Sequence, residues 1–574
     1  MRNYFTDNDR LERILNRPMI EQIADLYEGN YEEAACYDFA PRSAQEAVDG
    51  YRLIMSELGC CCGEVIAANA KGVDLEGPRC EAGRVHYASG TAENHRLLVE
   101  SGLYGMSLTR RYGGLNCPTT LFTMASELIA RADASMSNLW ALQNCAETIA
   151  EFGTEEQAAR LLKRVAEGAT CSMDLTEPNA GSDLQSLLLR ATFDEERGVW
   201  LLNGVKRFIT NGDAEIKLVL ARSEAGTSDG RGLSLFLFDR ASGGVTVRRL
   251  EHKLGIVGSP TCELVFKDAP AELIGMRRMG LIKYVLSLMN QARLGIGAQA
   301  VGIAEAAYRE ADRFARERRQ FGGPILDFAA VSELLLDMRT RIDASRELLY
   351  ETAHQVDLVR GLQRRVARNG GLESEERTAM KLAQQRADMY TPILKMMGGE
   401  YCNQIAYDAV QLFGGAGYMK DFEVERLYRD ARVVTIYEGT SQMQVVAAMK
   451  YIANGLLVAD LMERGREAER IVEFAHEKRE LRMLTEQFAE LINSTEAEGD
   501  AFVEFHARRL VECGGAILMG YLLLRSADDA RSRQSLAHYV ATARALVKAH
   551  TEKVGALTVE QVEALLAGIK TEAL

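Results

Sequence analysis

The chain lacks an excess of basic residues: 68 Lys and Arg stand against 82 Asp and Glu, a net charge of −14 over 574 residues. That balance argues against a nucleic-acid partner, although a local basic groove would be compatible with it. It lacks long apolar runs as well. The longest, Ala516 to Leu524, is far short of the ~20 residues a helix needs to cross a bilayer. Met1 leads into Arg-Asn-Tyr-Phe-Thr-Asp-Asn-Asp with no apolar stretch, so no signal peptide is expected and a cytoplasmic protein without membrane insertion is. No Walker loop is present, and no G-x-G-x-x-G stands between a strand and a helix. Gly-Gly-Ala-Gly-Tyr at 414–418 follows a helical pattern and is no dinucleotide fingerprint. The eleven cysteines are scattered apart from Cys60-Cys61-Cys62, which has neither zinc-site spacing nor the look of a disulfide framework. Reduced, buried thiols and no metal are the expectation.

What is present is a globular composition, too long for one core. Residues 1–45 read as a helical extension, with Leu11, Ile14 and Leu15 on one face and Ile20, Ile23 and Leu26 on another. Residues 46–168 keep a helical period. There Phe152-Gly153 closes one helix, and Thr154 caps the next with Gln157 three residues on. From 169 to 277 short β-type runs take over: Leu187–Phe193, Val199–Leu202, Val205–Thr210, Leu218–Ala221, Leu233–Phe238, Val245–Arg248 and Cys262–Phe266. Turn residues such as Asn203-Gly204, Asn211-Gly212 and Lys267-Asp268 separate them, which predicts an antiparallel barrel or sandwich. Helical patterns return over 278–455 and continue through 456–574. In the last segment Leu481, Leu484, Phe488 and Leu491 form a stripe, and Ser494–Asp500 reads as a loop. Packing or oligomerisation is the expected role of that extension. The fold class is α+β with segregated layers.

The stretch around which the chain is organised is 424–444. A charged amphipathic run ends at Arg432, a short apolar run follows, and a lone carboxylate, Glu438, precedes Gly439. A carboxylate in apolar company has its ionised form disfavoured and can serve as a base near neutral pH. A surface residue beside an ordinary helix C-cap is the plain alternative.

This stretch, Tyr428-Arg-Asp-Ala followed by Ile436-Tyr-Glu-Gly-Thr440, resembles the catalytic segment of the acyl-CoA dehydrogenase family. Three more segments follow in family order. Met173-Asp-Leu-Thr-Glu-Pro-Asn-Ala-Gly-Ser-Asp183 is similar to the signature lying against the flavin. The resemblance places Met173, Leu175, Thr176 and Ser182 there, where a turn of small and hydroxyl residues can offer backbone N–H groups. Lys206-Arg-Phe-Ile-Thr-Asn-Gly212 resembles the strand whose aromatic stacks on the flavin, here Phe208 with Thr210. Phe where relatives carry Trp keeps the apolar face and loses the indole donor. Gln291-Ala-Arg-Leu294 and Glu317-Arg-Arg-Gln-Phe-Gly322 match in spacing.

By that resemblance Arg318, Gln320 and Phe321 reach the FAD of a neighbouring subunit, with Gln411, Leu412, Gly414 and Gly415. Thr440 and Gln442 are further FAD contacts. Ser182, Asn290, Arg293, Tyr437 and Gly439 contact substrate. Where some relatives carry their base just before the helix arginine, this chain has Ala292, which leaves Glu438. The architecture implied is an N-terminal helical domain, a central antiparallel β-barrel, a C-terminal four-helix bundle and an extra helical extension, like the longer bacterial branch that includes 3-methylmercaptopropionyl-CoA dehydrogenases.

The activity implied is FAD-dependent α,β-dehydrogenation of an acyl-CoA. Glu438 takes the α-proton, a hydride passes to flavin N5, and the Glu438 N–H and a ribityl hydroxyl hold the thioester carbonyl. An electron-transfer flavoprotein takes the electrons, and the enzyme is a homodimer or homotetramer. An acyl-CoA oxidase using O₂ and a low-turnover flavin-loaded binding protein are the alternatives. A stretch around Val356–Arg377, absent from short family members and carrying Arg360, Arg364, Arg365 and Arg368, reads as a solvated loop or a contact for a CoA phosphate.

Overall fold

The computed structural model describes residues 2–571. Two compact units divide the chain. The first takes the residues up to Ala306, with Ala353–Gln384 and Arg429–Val433; the second takes Ala307–Thr352, Gln385–Tyr428 and everything from Val434 on.

The first unit holds a seven-stranded sheet of β1 (Cys171–Asp174), β2 (Arg190–Asp194), β3 (Val199–Thr210), β4 (Ile216–Arg222), β5 (Leu233–Asp239), β6 (Val245–Leu250) and β7 (Thr261–Leu273). Its order is β1-β4-β2-β3-β7-β5, with β6 beside β7 and a further antiparallel pairing of β4 with β5. The expected antiparallel barrel is therefore corrected to a mixed sheet: β1 and β2 each run parallel to β4. Short alternating runs disclose that strands exist but not the direction in which they pair, and β1 enters the sheet from a helix, not from a hairpin. Strands β4 and β5 are buried along nearly their whole length, the pattern of strands covered on both faces. The sheet's core is Trp200, Leu202, Ile209, Val219, Phe236, Phe238, Leu264 and Phe266.

Two of the expected turns are bulges. Asn203-Gly204 lies inside β3 and Lys267-Asp268 inside β7, at a register shift between them. There Asn203 Nδ2 donates to Asp268 Oδ1 at 3.1 Å, and the Asp268 N–H donates to Asn203 Oδ1 at 3.0 Å. A Cβ on Gly204 would stand 2.9 Å from the Leu189 Cα, so the bulge needs glycine for close approach as well as for its backbone.

The helical part of the first unit follows its periodicity closely. Ile20, Ile23 and Leu26 are buried in the helix Pro18–Glu28, and the Thr154–Gln157 capping box forms. Helix Ala44–Cys60 continues through a π-helical turn, Cys61–Ile66, into helix Ala67–Glu76. By length and composition this run could cross a membrane; in this fold Ala47, Tyr51, Met55, Leu58 and Cys62 are buried. Gly59 and Gly63 admit the N-terminal segment: a Cβ on Gly63 would lie 2.0 Å from the Arg2 carbonyl oxygen.

The stretch around Val356–Arg377 is not a solvated loop. It is the end of helix Ala329–Asn369, a short turn, and the start of helix Ser374–Phe413. Asp357, fully buried, accepts from Tyr27 Oη at 2.6 Å, the Thr119 and Thr120 amides at 2.6 and 2.8 Å, and Thr120 Oγ1 at 2.6 Å. It thereby caps helix Thr119–Ala132, whose every residue is buried and whose first amides would otherwise be orphaned. The arginines are engaged too. Arg360 pairs with Glu147 at 2.6 Å, Arg364 donates to Asn116 at 2.7 Å over the Tyr27 ring, Arg365 pairs with Glu376, and Arg368 donates to the Leu26 carbonyl. All four arginines therefore have partners within the unit.

In the second unit the extension forms helices Leu456–Ala468, Ala475–Ala497, Asp500–Arg525 and Ala530–Gly555. Leu481, Leu484, Phe488 and Leu491 are buried as the stripe predicts. The loop expected at 494–500 shrinks to Glu498-Gly499, because Thr495 is fully buried and its hydroxyl bonds the Leu491 carbonyl within the helix. Arg464 joins the extension to helices of the same unit through Glu351 at 2.9 Å and Tyr390 Oη at 2.6 Å.

Replacing Asp357 by Asn is expected to destabilise the first unit by about 3 kcal/mol, since a fully buried anion with four donors loses its charge; thermal unfolding of the variant checks this. In the second unit His506 is fully buried and its pKa is pushed down to about 4, by burial first and Arg509 second. An unfolded histidine binds a proton below about pH 6.5 and the folded one does not, so stability falls as pH drops from there towards 4. The midpoint of His506→Gln is expected to depend less on pH in that window.

Candidate functional site

The predicted residues fall into two groups, one in each unit. In the first unit Met173, half-buried, sits in β1, and the chain then turns through buried Leu175 and half-buried Thr176. This turn is held from beneath. Lys206 Nζ, fully buried, donates to the Leu175 carbonyl at 2.8 Å and to Glu177 Oε1 at 3.0 Å. The Arg207 amide donates to the Thr176 carbonyl at 3.0 Å. The Glu177 carboxylate in turn accepts the Leu188 and Leu189 amides at 2.6 and 2.9 Å. Burial pushes the Lys206 pKa down while Glu177 pulls it back up; the pair and its amide donors make a satisfied buried network. Ser182 lies exposed beyond the turn.

Phe208 stands in β3 at a second register shift, between Lys206 and Ile209. Its φ is +62° and its ring is 50% exposed, with the Arg207 guanidinium 4.7 Å from the ring centre. A bulky residue in left-handed backbone is strained, and here the strain turns an aromatic face outward from a strand whose neighbour Ile209 is buried. Thr210 ends the strand half-buried. Beyond it Asn211 accepts from Tyr87 Oη at 2.6 Å and donates to the Cys171 carbonyl at 3.2 Å, tying the ends of β3 and β1. On helix Leu286–Glu317, Arg293 Nη1 donates to Asn290 Oδ1 at 3.3 Å, both half-buried, and Ala292 between them is buried.

Arg429 and Asp430, quoted in the sequence motif without a role, act as a clamp in this unit. Arg429 pairs with Asp74 at 2.6 Å, and Asp430 Oδ1 accepts the Ile256 amide at 2.5 Å, where Ile256 is itself left-handed at φ +45°.

In the second unit Glu438 has φ +54° and Gly439 φ +89°. A glutamate in left-handed backbone is costly unless held, whereas glycine adopts it readily. Gln444 Nε2 donates to the carbonyls of both, at 3.2 and 3.0 Å, and Lys395 Nζ donates to the Gly439 carbonyl at 2.6 Å. Gln444 and Lys395 are both fully buried. Tyr437, Glu438 and Gly439 are half-buried. Thr440 then caps helix Ser441–Ala453, on which Gln442 is exposed.

The remaining predicted residues lie on the outside of this unit. Arg318 and Gln320 are exposed, and Phe321 tops a hairpin at φ +51° with 95% of its surface open. Gln411 is exposed and Leu412 half-buried at the end of helix Ser374–Phe413; Gly414 and Gly415 follow in a 3₁₀ turn where an added Cβ would touch nothing in this chain. Sequence reasoning missed Lys206, Glu177, Lys395 and Gln444. Lys206, Glu177 and Gln444 were visible as unassigned letters of the stretches singled out; Lys395 lies on a helix with no local signal at all.

Four family models together span most of the chain: "Acyl-CoA dehydrogenase, N-terminal domain" over 79–169, the middle domain over 172–269, the C-terminal domain over 282–369 and 372–452, and "Acyl-CoA dehydrogenase C terminal" over 454–562. An acyl-CoA dehydrogenase of Bacillus subtilis is 37% identical, over 62% of this chain and 88% of that protein. A 3-methylmercaptopropionyl-CoA dehydrogenase of Ruegeria pomeroyi is 32% identical, over 84% of this chain and 81% of the relative. The solved butyryl-CoA dehydrogenase of Megasphaera elsdenii superposes with a TM-score of 0.60 at 28% identity, over 70% of this chain and 98% of that one.

Lys206→Met is expected to leave the Glu177 carboxylate buried without its cation. Hydrogen exchange at the Leu188 and Leu189 amides should then accelerate well beyond that of the sheet core; unchanged protection would show that the lysine does not hold the turn.

Proposed function

The chain belongs to the acyl-CoA dehydrogenase family, and on that premise we propose that it dehydrogenates an acyl-CoA thioester between Cα and Cβ to the trans-2-enoyl-CoA, with Glu438 as the base. One observation carries the assignment of the base: Glu438 is a non-glycine residue kept in left-handed backbone by hydrogen bonds to its own and the next carbonyl. Strain of this kind persists only where the surroundings over-determine it, and it gathers at functional sites. In this reading the Glu438 carboxylate takes the α-proton, and its own backbone N–H donates to the thioester carbonyl, where negative charge develops as that proton leaves. A thioester α-proton is too weakly acidic for an unaided carboxylate, so exclusion of water from Glu438 by bound substrate is part of the reading.

Family membership implies FAD, which when bound supplies the acceptor for the β-hydride. The residues fit such a group. Phe208 offers an outward ring face, Thr176 and Thr210 offer hydroxyls on a braced turn and a strand end, and Met173 and Leu175 line that turn. Ser182, Asn290, Arg293, Tyr437 and Gly439 are assigned to the substrate. Arg318 is suited to a pyrophosphate because its fork can bond two oxygens at once. With Gln320, Phe321, Gln411, Leu412, Gly414, Gly415, Thr440 and Gln442 it is assigned to cofactor binding across a homo-oligomer. Phe321 at 95% exposure and Tyr418 at 81% support a second copy of the chain covering that surface. The electron acceptor in this reading is an electron-transfer flavoprotein.

Anaerobic titration of the purified protein with a panel of acyl-CoAs should bleach the flavin absorbance. Glu438→Gln should keep the yellow flavin and lose about 10²–10⁴-fold in kcat; an active Gln variant would remove the base from its role. Stoichiometric peroxide during aerobic turnover would assign the electrons to O₂ in place of the flavoprotein.

A further inference from the structure

The extension from 456 onward has no catalytic group of its own, yet the structure connects it to the loop that carries Glu438. On one side of that loop Lys395 Nζ lies 2.6 Å from the Gly439 carbonyl oxygen, with Gln444 Nε2 on the same oxygen at 3.0 Å. Two donors on one carbonyl oxygen fill both of its lone pairs, and a buried ammonium makes the stronger, charge-assisted bond of the two. On the other side Ser441 Oγ, buried in the first turn of the helix that follows, donates to Glu400 Oε1 at 2.7 Å. Glu400 Oε2 lies 3.4 Å from Arg508 Nη2, and Arg508 Nε donates to Glu512 Oε1 at 2.8 Å. Arg508 and Glu512 both belong to helix Asp500–Arg525 of the extension.

We propose that Lys395, and Arg508 of the extension acting through Glu400 and Ser441, are positioning residues for the catalytic loop. They fix residues 438–441 from both ends, so that the left-handed pair cannot relax to ordinary backbone. The inference rests on Glu438 being the base. It assigns the extension a part in catalysis beyond packing.

The two anchors differ in strength for a physical reason. Lys395 and Gln444 are fully buried, so their bonds to the loop are shielded from competing water. The Arg508 and Glu400 side chains keep 46% and 34% of their surface, so their ion pair is screened and acts mainly by holding the Glu400 oxygen on Ser441. Loss of the first anchor therefore moves the carboxylate more than loss of the second. A displacement of about 1 Å at a reacting group is enough to lower the rate by about 10²-fold without a matching change in binding.

The test compares Lys395→Met, Gln444→Leu, Arg508→Met and Arg508→Lys in the full-length, flavin-loaded enzyme. Two readouts are taken: kcat and KM, and hydrogen exchange of the peptide spanning 434–446 without substrate. Lys395→Met and Gln444→Leu are expected to lower kcat at least about tenfold with KM changed less than about twofold, and to speed exchange across 438–441. Arg508→Met should lower kcat about threefold in the same selective way, and Arg508→Lys should restore it. Wild-type kcat in both first-anchor variants, or a loss of kcat with unchanged exchange at 438–441, overturns the proposal. If Lys395→Met does not fold, Gln444→Leu decides, because it removes bonds to the same carbonyls and leaves the lysine in place. Failure of the base assignment is separable: an active Glu438→Gln enzyme sinks that reading, while the exchange results still report on the loop.

Discussion

A carboxylate held in backbone that its side chain disfavours is the constraint to which the loop at 438–441, the candidate site of the second unit, answers. Glu438 and Gly439 are both left-handed. Relaxation of either would swing the Glu438 Cα–Cβ bond and its amide together, because one peptide geometry sets both. Glycine at 439 lowers the cost of the second turn, but nothing in the chemistry of glutamate lowers the first. The stabilisation comes from elsewhere: a buried lysine and a buried glutamine that bond the two carbonyls and so remove the freedom to flip. A helix cap at Thr440 then fixes where the loop ends. The acid is placed by its backbone, and its backbone is held by Gln444 in the helix that follows and by Lys395 from a distant helix.

The first unit repeats this economy with other groups. The turn at 175–177 has few side chains able to pack, so its carbonyls are bound by Lys206 and the Arg207 amide, and its carboxylate gathers two amides from the following segment. Asp357 does the same for the start of a helix that has no exposed residue to satisfy its own amides. In each case a buried charge is tolerated because several hydrogen-bond partners surround it. Breaking one partner leaves the rest exposed to the full desolvation penalty, which is why these interior pairs matter more for the site than the many ion pairs on the surface.

Helix and strand existence was legible because periodicity is a local record of which face is buried. The Ile20–Ile23–Leu26 face, the Thr154 capping box and the Leu481–Leu491 stripe each lie within a single short segment of chain. Asn203-Gly204 and Lys267-Asp268 misled for the converse reason: turn-forming residues also suit a bulge, and only the partner strand tells which one forms. The arginines at 360–368 misled similarly. A run of charges reads as solvated until its acceptors are found, here the Leu26 carbonyl, Asn116 and Glu147, which lie far away in the chain.

By itself the sequence determined the family and the order of helical and β segments, and it nominated Glu438 and Phe208 as candidates, because these are written in contiguous residues. Only the tertiary structure decided that the sheet is mixed, that the Val356–Arg377 stretch is two helix ends joined by an exposed turn, and that Lys206 and Lys395 bond the turns at 175–177 and 438–439. Each of those depends on which distant segments meet, and pairing direction, burial of charge and backbone strain are properties of the meeting, not of either segment alone.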